Sequence, residues 1–268
     1  MAPDPESSGP MTGASPDDQL VVDPAAVASA AADVRRRIVA AGALPAAVTV
    51  VAVTKGFGVD AVAAAWAAGL PDVGENYAAE LLHKAELLHK VERLPPLVGS
   101  PSPELLAPSD RLGGPPALRW HYLGAVQRRR VRQLAPVVSC WHTVSRRLEG
   151  ETIAAHAPGA TVLVQVETTG LPGRNGCRPA EVPALVEALR QLPLDVAGLM
   201  TVGPPGPPEA ARPGFELVAR LGAQLELRHL SMGMSGDLEV AVACGATMVR
   251  LGTALFGPRP PRRLGPVR

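Results

Sequence analysis

Apolar residues along this chain follow two rhythms. Short runs rich in Val and Leu recur, and between them lie Ala- and Leu-rich stretches whose apolar positions fall three or four residues apart. The first run, VTVVAVTK (48–55), is largely β-branched and ends on a single lysine. Runs of this kind predict buried strands, and the longer period predicts helices with one face on a core. Eight strands are predicted: VTVVAVTK, DVGEN, RWHYLG, SCWHTV, TVLVQVE, VAGLMTV, RHLSMGMS and MVRLGTALFG. Helices are predicted over 23–42, 59–68, 77–94, 145–156, 179–191, 209–225 and 236–244. The first opens on Asp23 and Pro24 and stops at Gly42, a cap, a first-turn residue and a terminator in the expected order.

Strands alternating with helices imply parallel βαβ units. Eight such units in roughly 250 residues predict a single closed (β/α)8 TIM barrel of the α/β class, with an open doubly wound sheet as the rival. The barrel is favoured because polar residues and glycines gather where the strands end: Lys55, Glu75–Asn76, Gly124, His142, Glu167, Thr201, Ser231 and Arg250 through Thr253. In a barrel these positions converge on one face; in an open sheet they spread along an edge. The expected organisation is a disordered tail over 1–19, the barrel over 20–258 and a basic Pro-rich tail over 259–268 with no second domain. Two Pro- and Gly-rich stretches, 95–118 and 203–214, read as surface loops.

Composition narrows the partners. A net charge of +1 and 3% aromatic residues give no basis for nucleic acid or an anionic membrane as a target. Cys140, Cys177 and Cys244 are scattered and odd in number, so neither a disulfide framework nor a thiolate metal site is indicated. The N-terminus lacks a basic start and an apolar core, unlike a signal peptide, and no run is long enough to span a bilayer. A soluble, cytoplasmic, monomeric protein is expected.

Candidate chemistry lies at the two ends of the chain. HLSMGMSGDLEVAV sets Ser231, Gly233 and Ser235 before a helix, and VRLGTALFG sets Gly252 and Thr253 after a strand. Free backbone N–H groups in such turns bind anions, and barrels often build a phosphate site after strands seven and eight. In a closed barrel strand one neighbours strand eight, which brings Lys55 near Arg250 and Gly252. A lysine partly desolvated beside another cation has a lowered amine pKa, the condition for Schiff-base formation. A phosphate cup beside such an amine suits pyridoxal 5'-phosphate (PLP). A lysine that merely clamps a sugar phosphate is the second possibility.

The segments VVAVTK, VGENYAAE, RWHYLGAVQ, HTVSR, GLMTVGP and LSMGMSGDLEVAVACGATMVRLGTALFG closely resemble those of the pyridoxal phosphate homeostasis family, relatives of the N-terminal barrel of alanine racemase. The resemblance runs in order from about residue 20 to 257. It implies an alanine racemase N-terminal domain-like barrel that holds PLP covalently through Lys55. It further implies a phosphate cup at Ser231, Gly252 and Thr253, with Arg250 facing the pyridine nitrogen and Asn76 lining the pocket. His142 and Met234 fall in motifs bordering the site.

An arginine at the ring nitrogen makes the cofactor a weaker electron sink than a carboxylate partner does, which fits a protein that holds or hands over PLP to apo-enzymes. The alternative is a PLP-dependent amino-acid racemase. Racemases that resemble this barrel draw a catalytic tyrosine from a C-terminal β-domain. Only a basic tail follows Gly257 here, and the tyrosines are Tyr77 and Tyr122.

Departures from the family pattern are Arg128, Arg129 and Arg130 after LGAVQ, and Arg174 where lysine is usual. An arginine cannot form a Schiff base, which puts a second, lysine-dependent cofactor site at Arg130 in doubt. Weaker signals read blandly. His83 and His89 are wrongly spaced for one metal, QRRRVR reads as a solvated helix face, KGFGVD as a turn, and Glu167 as a polar residue at the barrel mouth.

Overall fold

The computed structural model describes residues 22–91 and 117–259. The 1–19 tail, nearly all of the 95–118 loop and the C-terminal tail beyond Arg259 lie outside the described residues. Eight parallel strands close a barrel in chain order. They are β1 Thr49–Val53, β2 Asp72–Glu75, β3 Arg119–Tyr122, β4 Val138–Val144, β5 Thr161–Gln165, β6 Asp195–Met200, β7 His229–Ser231 and β8 Met248–Leu251. Closure is made by β8 against β1, with Val51 beside Arg250 and Ala52 beside Leu251.

Helix α1 (Pro24–Ala40) precedes the barrel. Its first turn is capped by Asp23, whose carboxylate accepts from the Ala25 N–H at 2.9 Å. Val27, Ala31, Val34 and Ile38 form its buried stripe, and Gly42 reverses the chain at a φ of 94°. Each strand is then followed by a helix. These are α2 Val59–Ala67, α3 Ala78–Val91, α4 Arg128–Leu134, α5 Arg147–His156, α6 Val182–Arg190, α7 Arg212–Gln224, α8 Leu238–Ala243 and α9 Thr253–Phe256. The arginine run lies on α4, which buries Val131 and Leu134 and leaves Arg128, Arg129 and Arg130 exposed.

Strand alternation divides the core in two. Val50, Ala52, Val73, Trp141, Val162, Val164 and Val249 belong to the large shell between sheet and helices. A smaller cluster of Cys140, Leu163, Ala197, Met200 and Met248 fills the barrel itself. Burial pushes the Cys140 thiol up to about 12 and the Cys177 thiol to about 11, so both are inert packing groups. No helix among the described residues is long and apolar enough to cross a membrane.

Most strands stop short of their predicted extents. The strands expected to reach Lys55, Ser235 and Gly257 stop at Val53, Ser231 and Leu251. Past those points the backbone turns, and Thr253–Phe256 becomes α9. β4 ends at Val144, as the run SCWHTV predicts, so His142 lies two residues inside the strand and not at its end.

Candidate functional site

Lys55 stands two residues past β1, where the chain turns and the Phe57 N–H bonds the Thr54 carbonyl at 3.1 Å. That turn is clamped from α3. Lys84 donates to the Thr54 carbonyl at 2.7 Å, and Glu80 accepts from the Gly56 N–H at 2.5 Å. The peptide groups on both sides of Lys55 are therefore tied to one helix. Lys84 is buried between Glu75 and Glu80 at 2.5 and 3.0 Å, and Thr54 Oγ1 donates to Glu75 at 2.7 Å. Phe57 packs on Phe256 of α9, ring centroids 5.3 Å apart, which joins the turn to the end of β8.

The Lys55 side chain borders a cleft of about 430 Å³ at the C-terminal mouth, a size suited to a small organic ligand. Asn76, Arg250, Gly252, Thr253 and Met234 share its walls. Half-burial lowers the Lys55 amine below its ordinary value, and Arg259 and Arg250 lower it further against the opposing Glu75 and Glu80. Among the described residues this is a desolvated amine facing two guanidinium groups.

Arg250 is held from below. Its Nη1 donates to the Ser231 carbonyl at 2.6 Å and to Ser231 Oγ at 2.7 Å, and Nη2 donates to the Thr201 carbonyl at 2.7 Å. Burial brings its pKa down to about 10, with Asp237 opposing, so it stays charged at neutral pH.

Ser231 does not line the cleft with Gly252 and Thr253. It is fully buried beneath the cleft, because the last residue of β7 points inward and its hydroxyl is taken by Arg250 and His142. Its neighbour in the motif, Ser235, lines the cleft instead, and Ser235 Oγ accepts from the Ala254 N–H at 3.0 Å. Gly236 lies beside it; an added Cβ there would meet no atom within 4 Å, so this backbone borders open space. The turn is braced by Asp237, which accepts from the Met234 N–H at 2.5 Å, and by Arg37 of α1, which donates to the Ser235 carbonyl at 3.3 Å. His142 lies deeper, fully buried in the barrel.

Asn76 is placed by a close approach: a Cβ at Gly124 would collide with the Asn76 carbonyl. Gly124→Ala is expected to displace Asn76 and cost about 1–3 kcal/mol, read as a fall in the thermal midpoint of the full chain. Glu167 folds its own loop, accepting from Thr169 N and Gly170 N at 2.7 and 3.0 Å. Tyr122 is buried edge-on against Trp141 in the outer shell, away from the cleft.

Sequence reasoning overlooked Lys84, Phe57 and Arg259. Lys84 forms an i,i+4 pair with Glu80, a pattern that ordinarily marks a solvated helix face. Arg259 belongs to a Pro-rich tail without periodicity, so nothing in the sequence directs it into the cleft.

The alanine racemase N-terminal domain family matches residues 22–260. A pyridoxal phosphate homeostasis protein from Pseudomonas aeruginosa is 38% identical over 241 residues, covering 87% of this chain and 94% of that one. The structure of PipY from Synechococcus elongatus with PLP bound aligns at a TM-score of 0.68 and 30% identity, covering 86% of this chain and all of that one. Alanine racemase from Corynebacterium glutamicum aligns over 91% of this chain and 63% of its own at a TM-score of 0.59 and 17% identity, a likeness of fold. By these matches, the chain belongs to the pyridoxal phosphate homeostasis protein family, built on the barrel of the alanine racemase N-terminal domain.

Proposed function

We propose that this protein binds PLP covalently, as a Schiff base on Lys55, and serves intracellular vitamin B6 homeostasis by keeping the free aldehyde low and supplying apo-enzymes. It acts as a cytoplasmic monomer and does not itself catalyse amino-acid chemistry. The observation that carries the reading is the cleft that gathers a desolvated amine, a buried guanidinium and a Ser/Gly/Thr rim. That donor set suits an aldehyde, a pyridine nitrogen and a phosphate, and Val53, Leu123 and Met200 offer apolar walls for a flat ring. PLP bound in PipY supports the choice of ligand.

Within this proposal Lys55 supplies the amine and Arg250 donates to the ring nitrogen. Gly252, Thr253 and the Ser235–Gly236 turn receive the phosphate, while Asn76 and Met234 flank the ring. Ser231, buried and bonded to Arg250, serves through that guanidinium. Arg259 adds positive charge to the same cleft.

The test is direct. PLP added to the full chain should give a visible absorbance band that borohydride fixes, and the modified peptide should contain Lys55. The chain has three lysines, Lys55, Lys84 and Lys90, so the mapping is unambiguous. Absence of the band would overturn cofactor binding through Lys55. Exchange of the α-hydrogen of any amino acid in deuterated water, faster than with free PLP, would replace the carrier reading by a racemase.

A further inference from the structure

The barrel holds a buried polar chain that cofactor binding does not explain. Asp72 of β2 meets His121 Nε2 at 2.8 Å, and His121 Nδ1 meets His142 Nε2 at 2.7 Å. His142 Nδ1 meets Ser231 Oγ at 2.9 Å, and Arg250 Nη1 donates to that same oxygen. All five side chains are buried. Arg250 borders the cleft at the C-terminal mouth, while Asp72 borders a second pocket of about 220 Å³ lined by Arg119 and Arg35. The chain therefore runs through the barrel interior from one pocket to the other.

Its polarity follows from its ends. Burial favours a protonated Asp72, but hydrogen bonds from His121 and Arg119 outweigh it and hold the carboxyl below its ordinary range. Asp72 is thus an acceptor, and His121 Nε2 carries a proton. Burial, with His121 and Arg250 nearby, pushes the His142 imidazole well below its usual value, so that ring is neutral. With one proton in each contact and one on each imidazole, His142 Nε2–H donates to His121, and His142 Nδ1 accepts from Ser231. The Ser231 oxygen is then turned toward Arg250 as an acceptor.

A metal shared by His121, His142 and Cys140 is the competing account, since their ligand atoms lie within 4.8 Å of one another. The ring nitrogens 2.7 Å apart are too close for it, because two ligands about 2.0–2.1 Å from a tetrahedral ion stand about 3.3 Å apart. The remaining ring nitrogens are already bonded to Asp72 and Ser231.

We infer that His142, backed by His121 and Asp72, is a positioning residue for Arg250: it orients the Ser231 hydroxyl so that the guanidinium plane is fixed at the floor of the cleft. Its consequence for PLP rests on the proposed function; the hydrogen-bond order does not. In the cofactor-free full chain labelled with 15N-histidine, His142 is expected as the neutral Nε2–H tautomer with a solvent-protected N–H. A neutral Nδ1–H form, or a doubly protonated ring at neutral pH, overturns the relay.

With PLP added, Ser231→Ala and His142→Leu are expected to move the pH midpoint of the visible band by about one unit, the scale of one hydrogen bond to a charged group. His142→Gln, whose amide both donates and accepts, should restore most of it. Unchanged midpoints in Ser231→Ala and His142→Leu, with only thermal stability lowered, would reduce these residues to packing and overturn the positioning role. If the unsubstituted chain shows no band at all, the cofactor reading fails, and the tautomer spectrum still judges the relay.

Discussion

A Lys55→Ala chain is expected to lose borohydride-fixed PLP down to background while remaining folded. The side chain is partly desolvated and faces Arg259 and Arg250, so its amine is lowered, first by burial and then by those cations. The linkage follows in sign. An amine whose folded pKa lies below its unfolded value of 10.5 penalises the folded state at neutral pH, and the penalty fades as pH rises from the depressed value toward 10.5. Removing Lys55 removes that penalty, so the thermal midpoint at neutral pH should not fall. Lys55→Arg separates charge from reactivity: the guanidinium keeps the positive charge but forms no covalent bond with an aldehyde. Both variants should therefore lack the fixed adduct. Peptide mapping of an undiminished adduct to Lys84 or Lys90 would refute the assignment of the amine.

The barrel was legible because its signal is local and repeated. Each β-branched run is short, each intervening helix carries a 3.6-residue stripe, and parallel strands need such crossovers. Lys55, Arg250, Gly252 and Thr253 were legible as a group because closure makes strand eight the neighbour of strand one. What escaped depended on which way a side chain points at a strand end. Ser231 and Ser235 are four residues apart in one motif, yet one is buried inside the barrel and the other lines the cleft. Periodicity could not separate them, since β7 stops between them and the chain leaves the strand geometry. His142 read as a border residue although the run SCWHTV already extends past it to Val144; its place two residues before the strand end buries it inside the barrel. Lys84 is the clearest case. Its spacing from Glu80 is that of a surface pair, and only packing of α3 over the ends of β1 and β2 buries it.

That buried lysine leads to the second large effect: Lys84→Met is expected to destabilise the fold by about 3–5 kcal/mol, the usual cost of breaking a buried pair by removing one partner. Glu75 Oε1 would keep only the Thr54 hydroxyl, and Glu75 Oε2 is already buried without a hydrogen-bond partner among the described residues. The turn carrying Lys55 would also lose its tie at the Thr54 carbonyl, so slower covalent capture of PLP should accompany the lower thermal midpoint. Replacing both partners, Lys84→Met with Glu75→Leu, should cost less than the single change, because no uncompensated charge remains. The pH dependence identifies the cause. Burial raises the Glu75 carboxyl above 4.5 even with Lys84 opposing, so the folded state prefers it protonated, and stability falls as pH rises from 4.5 through the raised value. Loss of Lys84 raises that carboxyl further, which extends the window upward. The deficit of Lys84→Met relative to the unsubstituted chain should therefore be smaller near pH 5 than near pH 8, measured by denaturant unfolding at both. Equal deficits would mean that the lost contribution is packing of the lysine stem and not compensation of a buried charge.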